Sequence, residues 1–340
     1  MTNPLPFLDA DAIRGGVPIA DLLDAVEAAY RDVSAGRDRS PLRGHVELGD
    51  GDLLLMPGVR SGGEGASVKL VTIMPSNAAR GLPTVQALVV WFDTRTGQPL
   101  ALLDGAMVTA MRTGAASGVA TRLLARTDAS TLGVIGAGGQ AEWQIRAVLA
   151  ARDIRRVLVY ARNVEGRERF VARMEEATGV ETISADSAEA AVRDADVVCC
   201  ATTSVEPVFD AEWVRPGTHV NGIGAFRLGM VEMPPELFAR ASPVVVDART
   251  AAMAEAGDIV AAIERGLLAE ADLVEIGSIG AGWAAKRDPE AITVFKSVGL
   301  AIQDVAAAEL IVRRVGNPEQ TVCEAGEEAR QHRAEGDPAS

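Results

Sequence analysis

Lysine is rare in this chain, and one of its lysines, Lys69, lies in an apolar run where a buried amine could exchange protons. Of the 33 basic residues only Lys69, Lys286 and Lys296 are lysines, and the rest are arginines. A buried amine can lower its pKa and exchange a proton, whereas a guanidinium keeps its charge. Lys69 lies within the apolar run SVKLVTIM, which predicts a strand. We therefore take Lys69 as the leading candidate for a reacting residue.

Two arginines offer a way to hold an acidic substrate. Arg112 lies in a predicted helix of small residues, and Arg43 precedes the run of predicted strands. A buried pair of arginines binds a carboxylate through bidentate, charge-assisted hydrogen bonds. The alternative for each of the three basic residues is an ordinary ion pair or a side-chain stem packed at the surface.

The stretch GVIGAGGQA indicates a dinucleotide site. It follows an apolar strand pattern and precedes a helical one, which is the context that a G-x-G-x-x-A fingerprint requires. The first glycine permits a tight turn, the second lets the backbone approach a pyrophosphate, and the small third residue lets the helix pack on the strand. The predicted cofactor-binding residues of this turn are Gly136, Gly138, Gly139, Gln140 and Ala141.

The end of the next predicted strand favours NADPH, with NADH possible. An NAD-selective site usually places a carboxylate there for the ribose hydroxyls. This chain has Arg162 and Asn163 instead. An arginine at that point can pair with a 2′-phosphate and stack on adenine. The alternative is a solvated surface arginine.

Composition excludes several other classes of partner and site. The net charge of −14 argues against nucleic acid, and no apolar run reaches the roughly 18 residues needed to cross a membrane. The N-terminus lacks the pattern of a secretory signal. Neither the three cysteines (199, 200 and 323) nor the three histidines (45, 219 and 332) have metal-site spacing. We expect a cytoplasmic protein with no metal, no membrane and no nucleic-acid partner.

The order of predicted elements indicates two architectures in one chain. A helix over 17–36 is followed by a meander of strands over 42–93 and a helix over 104–126. From 131 onward, continuous apolar strands alternate with helices, which predicts a parallel sheet covered on both faces. A single long helix is expected to begin near 288. The charged C-terminal residues are expected to be disordered.

Several motifs together resemble the ornithine cyclodeaminase/mu-crystallin family over roughly residues 40–312. They are the lysine of VKL, the run TRTGQPLALLDGAMVTAMRTGAAS and the segment VFKSVGLAIQDVAAAEL. The resemblance implies an α/β protein: a Rossmann-type doubly wound parallel sheet over 123–300, and an α+β substrate-binding and dimerisation domain. We assign that second domain to 1–122 and 301–325, and a disordered tail to 326–340. A homodimer is also implied.

The resemblance assigns roles to individual residues. Arg43, Lys69 and Arg112 would hold the carboxylate of an imino or amino acid against the nicotinamide, and Lys69 would relay a proton. Met56 and Thr84 would contact the substrate. The remaining predicted cofactor contacts are Thr202, Thr203 and Ser204 at a strand end, and Lys296 and Ser297 at the head of the terminal helix, although a packing role for Lys296 stays open.

Phe226 decides between branches of the family. In cyclodeaminases, the motif in this turn carries an aspartate at the position that Phe226 occupies when Gly224 and Glu232 are aligned. Phenylalanine cannot transfer a proton. Phe226 therefore becomes a predicted substrate contact, with Arg227 and Leu228 as candidates for shaping the pocket. The imine-reducing branch is favoured, although Leu228 stands where that branch has proline.

The leading hypothesis is NAD(P)H-dependent reduction of a cyclic ketimine such as a pyrroline- or piperideine-2-carboxylate. An acyclic amino-acid dehydrogenase of alanine or N-alkyl type fits the same residues. A cyclodeaminase-like lyase that recycles a tightly held NAD is the second class. A small-molecule or NADPH-binding module without catalysis is the third. Redox stoichiometry separates the first class from the lyase, because a lyase releases ammonia with no net change in the cofactor.

Overall fold

The structure is a computed structural model that describes residues 4–63, 65–280, 282–283 and 285–316. The predicted disordered tail, 326–340, lies outside the described residues. No helix within the described ranges is long and apolar enough to cross a membrane. In the same ranges, no group of three or more His, Cys, Asp or Glu side chains is arranged to hold a metal ion.

A six-stranded mixed sheet forms the first architecture, in the order β1-β6-β5-β4-β3-β2. Every second side chain of β3 and β4 is buried, because strand side chains alternate between the two faces. Met56 and Lys69 are cross-strand partners and share the buried face. The meander is confirmed, and the structure adds two strands that the sequence patterns had not shown: β6, which pairs with β5, and the edge strand β1, which pairs with β6. The strands are β1 (Phe7–Leu8), β2 (Gly44–Leu48), β3 (Gly51–Val59), β4 (Gly65–Ile73), β5 (Val85–Asp93) and β6 (Pro99–Asp104).

Four helices accompany this sheet: α1 (Ala10–Gly16), α2 (Ile19–Ser34), α3 (Gly105–Leu124) and the C-terminal α10 (Ala301–Val315). Most of α3 is buried, because its glycines and alanines let neighbouring helices and strands of the same chain approach closely. A β-carbon at Gly114 would lie 2.3 Å from the carbonyl oxygen of Trp143 in α4 (Gly139–Ala151). The small-residue helix is therefore the seam between the two halves of the molecule.

An eight-stranded, fully parallel sheet forms the second architecture, in the order β13-β12-β14-β11-β10-β7-β8-β9. The chain runs from β7 to β8 and β9 on one side, then returns to place β10 and β11 on the other. This doubly wound arrangement confirms the predicted Rossmann-type fold and puts the topological switch point between β7 and β10. The strands are β7 (Thr131–Ile135), β8 (Arg156–Tyr160), β9 (Glu181–Ser184), β10 (Val197–Cys200), β11 (His219–Gly222), β12 (Ala241–Val246), β13 (Leu273–Glu275) and β14 (Ile292–Lys296).

The helices between these strands lie on both sides of the sheet, as the alternating pattern predicted. They are α4, α5 (Val164–Thr178), α6 (Ala188–Arg193), α7 (Pro235–Arg240), α8 (Arg249–Glu255) and α9 (Gly257–Glu264).

The predicted long helix from 288 is wrong. Residues 292–296 form the central strand β14, which is buried along its whole length between β11 and β12. The chain then passes through a short loop, and α10 begins at Ala301. A five-residue segment with three apolar residues has no periodicity that separates a buried strand from a buried helix turn, so the strand and the following helix were predicted as one helix. Lys296 and Ser297 consequently lie at a strand end, and not at the head of the terminal helix.

Candidate active site

Lys69 of β4 forms a buried salt bridge with Asp304 of α10, between the mixed sheet and that helix. Its side chain is 1% exposed, and its Nζ donates to Oδ1 of Asp304 at 2.8 Å. Burial, reinforced by the nearby Arg112 charge and opposed by Asp304, lowers the pKa of Lys69 to about 7. An amine with a pKa near neutral exchanges protons readily at physiological pH. Burial therefore gives Lys69 the lowered pKa that we expected for a lysine in an apolar strand of a lysine-poor chain.

Arg112 reaches the same carboxylate from the middle of α3. Its Nε donates to Asp304 Oδ1 at 3.0 Å, and its Nη1 donates to Oε1 of Gln303 at 2.7 Å. Gln303 in turn donates to the hydroxyl of Tyr30. The guanidinium is thus held in one orientation by two adjacent residues of α10, which is how a rigid anion-binding group is built.

Arg43 approaches from the other side of the loop between β14 and α10. Its Nη2 donates to the carbonyl oxygens of Val298 and Gly299 at 2.7 and 2.8 Å. It also lies 2.7 Å from Oε2 of Glu255, whose pKa is raised because the carboxyl is buried. The backbone of Gly299 packs against the Arg112 guanidinium. Arg43 and Arg112 therefore flank the same loop.

A cavity of about 170 Å³ opens beside these residues. Arg43 and Met56 line it, together with Leu42, Thr250, Glu255 and Leu300. Lys69 and Arg112 lie immediately behind this wall, as the cross-strand partner of Met56 and the neighbour of Gly299. Pockets for drug-sized ligands span about 300–1,000 Å³, so this one suits a small molecule.

Two predicted substrate contacts lie apart from the cavity wall. Thr84 lies in the loop before β5, where its carbonyl accepts from Met74 N. Phe226 is half-buried beyond the end of β11. Its neighbour Arg227 lies 3.2 Å from Asp52 of β3, so this loop of the parallel-sheet half reaches the mixed sheet. Leu228 is exposed. The roles of Thr84 and Phe226 stay predictions.

The glycine-rich turn after β7 fits a dinucleotide. Gly136 has φ +114°, and a β-carbon there would lie 2.6 Å from the carbonyl oxygen of Ala201, so no larger residue fits. Gly138 and Gly139 have open space where a side chain would stand. They lead into the N-terminus of α4, whose free N–H groups favour phosphate. Ala141 is fully buried against the core, as its place in the fingerprint requires. Gln140, just before it, lies in the first turn of α4.

Arg162 and Asn163 lie at the edge of the same crevice. The turn is tied to β8 by a hydrogen bond from Gly136 N to Tyr160 O at 2.8 Å, and Arg162 follows two residues later. Arg162 is exposed and, among the described residues, makes no hydrogen bond or ion pair. Asn163 caps α5 by accepting from Gly166 N. Among the described residues, the Arg162 guanidinium is therefore unpaired just beyond the carboxyl end of β8.

The other predicted cofactor residues divide into a loop and a buried group. Thr202, Thr203 and Ser204 follow β10 on the far side of the switch point. Lys296, by contrast, is fully buried and pairs with Asp258, while Ser297 donates to Asp247. The structure therefore places the threonine–serine loop at the crevice and the lysine–serine pair behind it.

Sequence reasoning missed Asp304 and Gln303, which organise the basic residues. Both are fully buried on α10. The available signal was a single carboxylate within AIQDVAAA, because a charge on an otherwise apolar helix face needs a buried partner. Only the packing of α10 against β4 shows that Lys69 is the partner of Asp304.

The family model of the ornithine cyclodeaminase/mu-crystallin family matches residues 7–318. The chain belongs to this family. A Bacillus cereus Delta(1)-pyrroline-2-carboxylate reductase is 39% identical over 311 residues, covering 90% of this chain and 95% of that protein.

Solved structures of this family resemble the present one closely. Thermococcus litoralis Delta(1)-pyrroline-2-carboxylate reductase, in complex with NADH and L-proline, has a TM-score of 0.86 and 35% identity, covering 91% of this chain and 97% of that one. An archaeal alanine dehydrogenase dimer with bound NAD has a TM-score of 0.83 and 36% identity, covering 91% and 95%. Proteins with two different activities on amino or imino acids thus have the same fold as this chain.

Proposed function

We propose that this protein uses NAD(P)H to reduce the C=N bond of a cyclic 2-imino acid, of the pyrroline- or piperideine-2-carboxylate type, to the amino acid. The observation that carries the proposal is a buried lysine of near-neutral pKa between two arginines, beside a cavity of about 170 Å³. The similarity to pyrroline-2-carboxylate reductases supports the same substrate class.

The reaction adds a hydride to carbon and a proton to nitrogen. A dinucleotide held at the glycine-rich turn would supply the hydride for the imine carbon. Arg43 and Arg112 hold the substrate carboxylate, which fixes the face of the imine that is presented. Lys69 gives its proton to the imine nitrogen as the C=N bond becomes CH–NH. Asp304 holds the lysine amine through its hydrogen bond and raises the pKa of Lys69, which favours reprotonation of the amine.

An acyclic amino acid is the second candidate substrate. The similarity to an alanine dehydrogenase favours it, since the same clamp and lysine serve an imine without a ring. The two candidates differ in what fills the cavity beyond the carboxylate.

A screen of NADH and NADPH oxidation tests the proposal. Pyrroline-2-carboxylate, piperideine-2-carboxylate and pyruvate with ammonia or methylamine are compared at equal concentration. We expect the cyclic imines to give the highest kcat/KM. Activity restricted to pyruvate with ammonia would support the alanine-type reaction, and no oxidation with any of them would contradict both.

The cofactor preference rests on Arg162. We propose NADPH as the preferred donor, because the exposed guanidinium has no other partner among the described residues. NADH and NAD are the forms bound by the two structural relatives. Arg162→Ala is expected to raise KM for NADPH by about 10-fold, the effect of losing one charge-assisted hydrogen bond, and to leave KM for NADH unchanged. Arg169→Ala, an exposed arginine of α5, is the control. Equal effects on both cofactors would contradict the assignment.

The outer face of the mixed sheet supports a homodimer. Leu55, Leu70 and Leu88 lie side by side on β3, β4 and β5, on the face opposite Lys69. Val68 and Val90 continue this apolar row beside them, and all five side chains remain partly or fully exposed. Exposed apolar faces of this kind mark association sites. Light scattering is expected to give twice the chain mass, and a monomer at micromolar concentration would contradict the proposal.

We also propose a cytoplasmic location. Cys199 and Cys200 are free, buried thiols, as suits a reducing compartment. Fractionation of the source cells would contradict it if the protein appeared outside the cytoplasm.

A further inference from the structure

Three fully buried charged residues lie beneath the carboxyl edge of the parallel sheet, apart from the lysine–arginine site. They are Glu232, Asp258 and Lys296. Lys296 ends β14, and its Nζ lies 2.6 Å from Oδ2 of Asp258. Burying three charges costs several kcal/mol per ion unless each is partnered, and such clusters are weak contributors to stability. The contacts of the cluster indicate a role other than stabilising the fold.

Glu232 joins the two loops that leave neighbouring strands. Its Oε2 accepts from the backbone N–H of Thr202 at 3.0 Å and from the Thr202 hydroxyl at 3.1 Å. Its Oε1 accepts from the backbone N–H of Gly224 at 2.7 Å. Thr202 follows β10 and Gly224 follows β11, and these strands are adjacent in the sheet. One carboxylate therefore sets the separation of both loop starts.

The two loops touch where Glu232 holds them. A β-carbon at Gly224 would lie 2.0 Å from the carbonyl oxygen of Thr202, so the backbones approach to contact. The Thr202 hydroxyl also accepts from Ser204 N at 3.3 Å. The path of the 202–204 segment thus depends on the carboxylate below it. This segment borders the switch point, beside the glycine turn that receives the pyrophosphate.

Asp258 and Lys296 hold Glu232 in place and balance its charge. Oδ1 of Asp258 accepts from the backbone N–H groups of Glu232 and Met233 at 2.6 and 3.0 Å. Lys296 then offsets the two carboxylates. The arrangement is a chain of contacts from β14, through α9, to the two loops.

We propose that Glu232 is a positioning residue for the nicotinamide half of the dinucleotide, acting through Thr202 and Gly224, with Asp258 and Lys296 as its support. The inference rests on the proposed use of a dinucleotide. Only the ionised carboxylate accepts from all three donors, because a protonated oxygen would present a hydrogen to an N–H or O–H group. Cofactor affinity therefore follows the ionisation of Glu232.

The direction of the pH effect follows from the surroundings of Glu232. Burial raises its pKa to about 7, with Lys296 opposing and Asp258 reinforcing the rise. Cys199 and Cys200 on β10 stay neutral, because burial raises both thiol pKa values. Below neutral pH Glu232 becomes protonated and the loops lose their shared acceptor. Affinity for the dinucleotide is expected to fall as pH falls from 8 to 6.

NADH binding, measured by its fluorescence between pH 6 and pH 8, tests the inference. NADH is used because it lacks the 2′-phosphate, which titrates in this range. We expect the wild-type Kd to rise about 10-fold at the lower pH, the effect of one lost charge-assisted hydrogen bond. Glu232→Gln should bind weakly at both pH values with no inflection. Lys69→Met, which removes the near-neutral amine of the candidate active site, should keep the wild-type profile.

Glu236→Gln is the matched control, because Glu236 is an exposed residue of α7 that pairs with Arg265; it should behave as wild type. Thermal unfolding without cofactor shows whether each variant is folded, and if Glu232→Gln is not, the wild-type and Lys69→Met profiles decide. A pH-independent wild-type Kd, or wild-type binding by folded Glu232→Gln, would overturn the inference and leave the proposed function standing. Wild-type protein that binds neither NADH nor NADPH would overturn the proposed function, and this inference with it.

Discussion

Replacing Lys69 with methionine is expected to lower kcat for imine reduction by about 10²- to 10⁴-fold, the usual contribution of a positioned general acid. Methionine has nearly the same length and no proton to give. Asp304 keeps its contact with Arg112, so the buried carboxylate retains one cationic partner. The binding of NADH should be unchanged, because Lys69 lies on β4 and not at the switch point.

Lys286→Met is the matched control, since Lys286 is exposed and lies outside the site. Its kcat should equal that of the wild type. Thermal unfolding of both variants separates a chemical effect from a folding defect. A folded Lys69→Met protein that kept wild-type kcat would show that the proton comes from elsewhere.

The same lysine sets the pH dependence of the reaction. Lys69 acts as an acid in reduction, and its pKa of about 7 means that the protonated form is lost as pH rises above that value. We expect kcat/KM for reduction to fall about tenfold per pH unit above pH 7. Oxidation of the amino acid needs the neutral amine, so its kcat/KM should rise through the same pH. A difference in this inflection between wild type and Lys69→Met assigns it to the lysine.

Arg112→Lys is expected to raise KM for the imino acid by about 10- to 100-fold. Lysine keeps the charge but loses the planar fork that binds a carboxylate through two hydrogen bonds, and each charge-assisted bond contributes about 1.5–3 kcal/mol. The change also leaves Oε1 of Gln303 without the Nη1 donor. KM for NADH should stay within about twofold, because the cofactor turn is built from β7 and α4.

Arg155→Lys serves as the control, since Arg155 is an exposed residue that pairs with the exposed Asp153. The KM values are measured at saturating cofactor. An unchanged KM for the imino acid in folded Arg112→Lys would remove Arg112 from the clamp. A rise in KM for NADH alone would move its role to the cofactor.

The sequence predicted the fold where its patterns were long or had a fixed spacing. The G-x-G-x-x-A turn lies between β7 and α4 as expected, and the alternating runs of 42–93 became a meander. The prediction failed at 292–296, because a five-residue segment is too short to show a period of its own and the adjoining helix has a helical one. Which strands lie side by side in the parallel sheet depends on contacts far apart in the chain.

The candidate site was predicted in part for a similar reason. Lys69 stood out because lysine is scarce, and Arg112 because it interrupts a run of small residues. Asp304 and Glu232 were not recognised as site residues, since carboxylates are common and only packing shows which are buried. Lys296 was predicted to head the terminal helix, but it ends strand β14, and its contact with the cofactor stays a prediction.

The stoichiometry of turnover tests the central claim most directly. The purified protein is incubated with pyrroline-2-carboxylate and NAD(P)H, and separately with ornithine and NAD. Oxidised cofactor, proline and ammonia are quantified in each. We predict one cofactor oxidised per proline formed from the imine, and neither proline nor ammonia from ornithine. Proline and ammonia from ornithine in equal amounts, with no net change in the cofactor, would contradict the account and identify a cyclodeaminase.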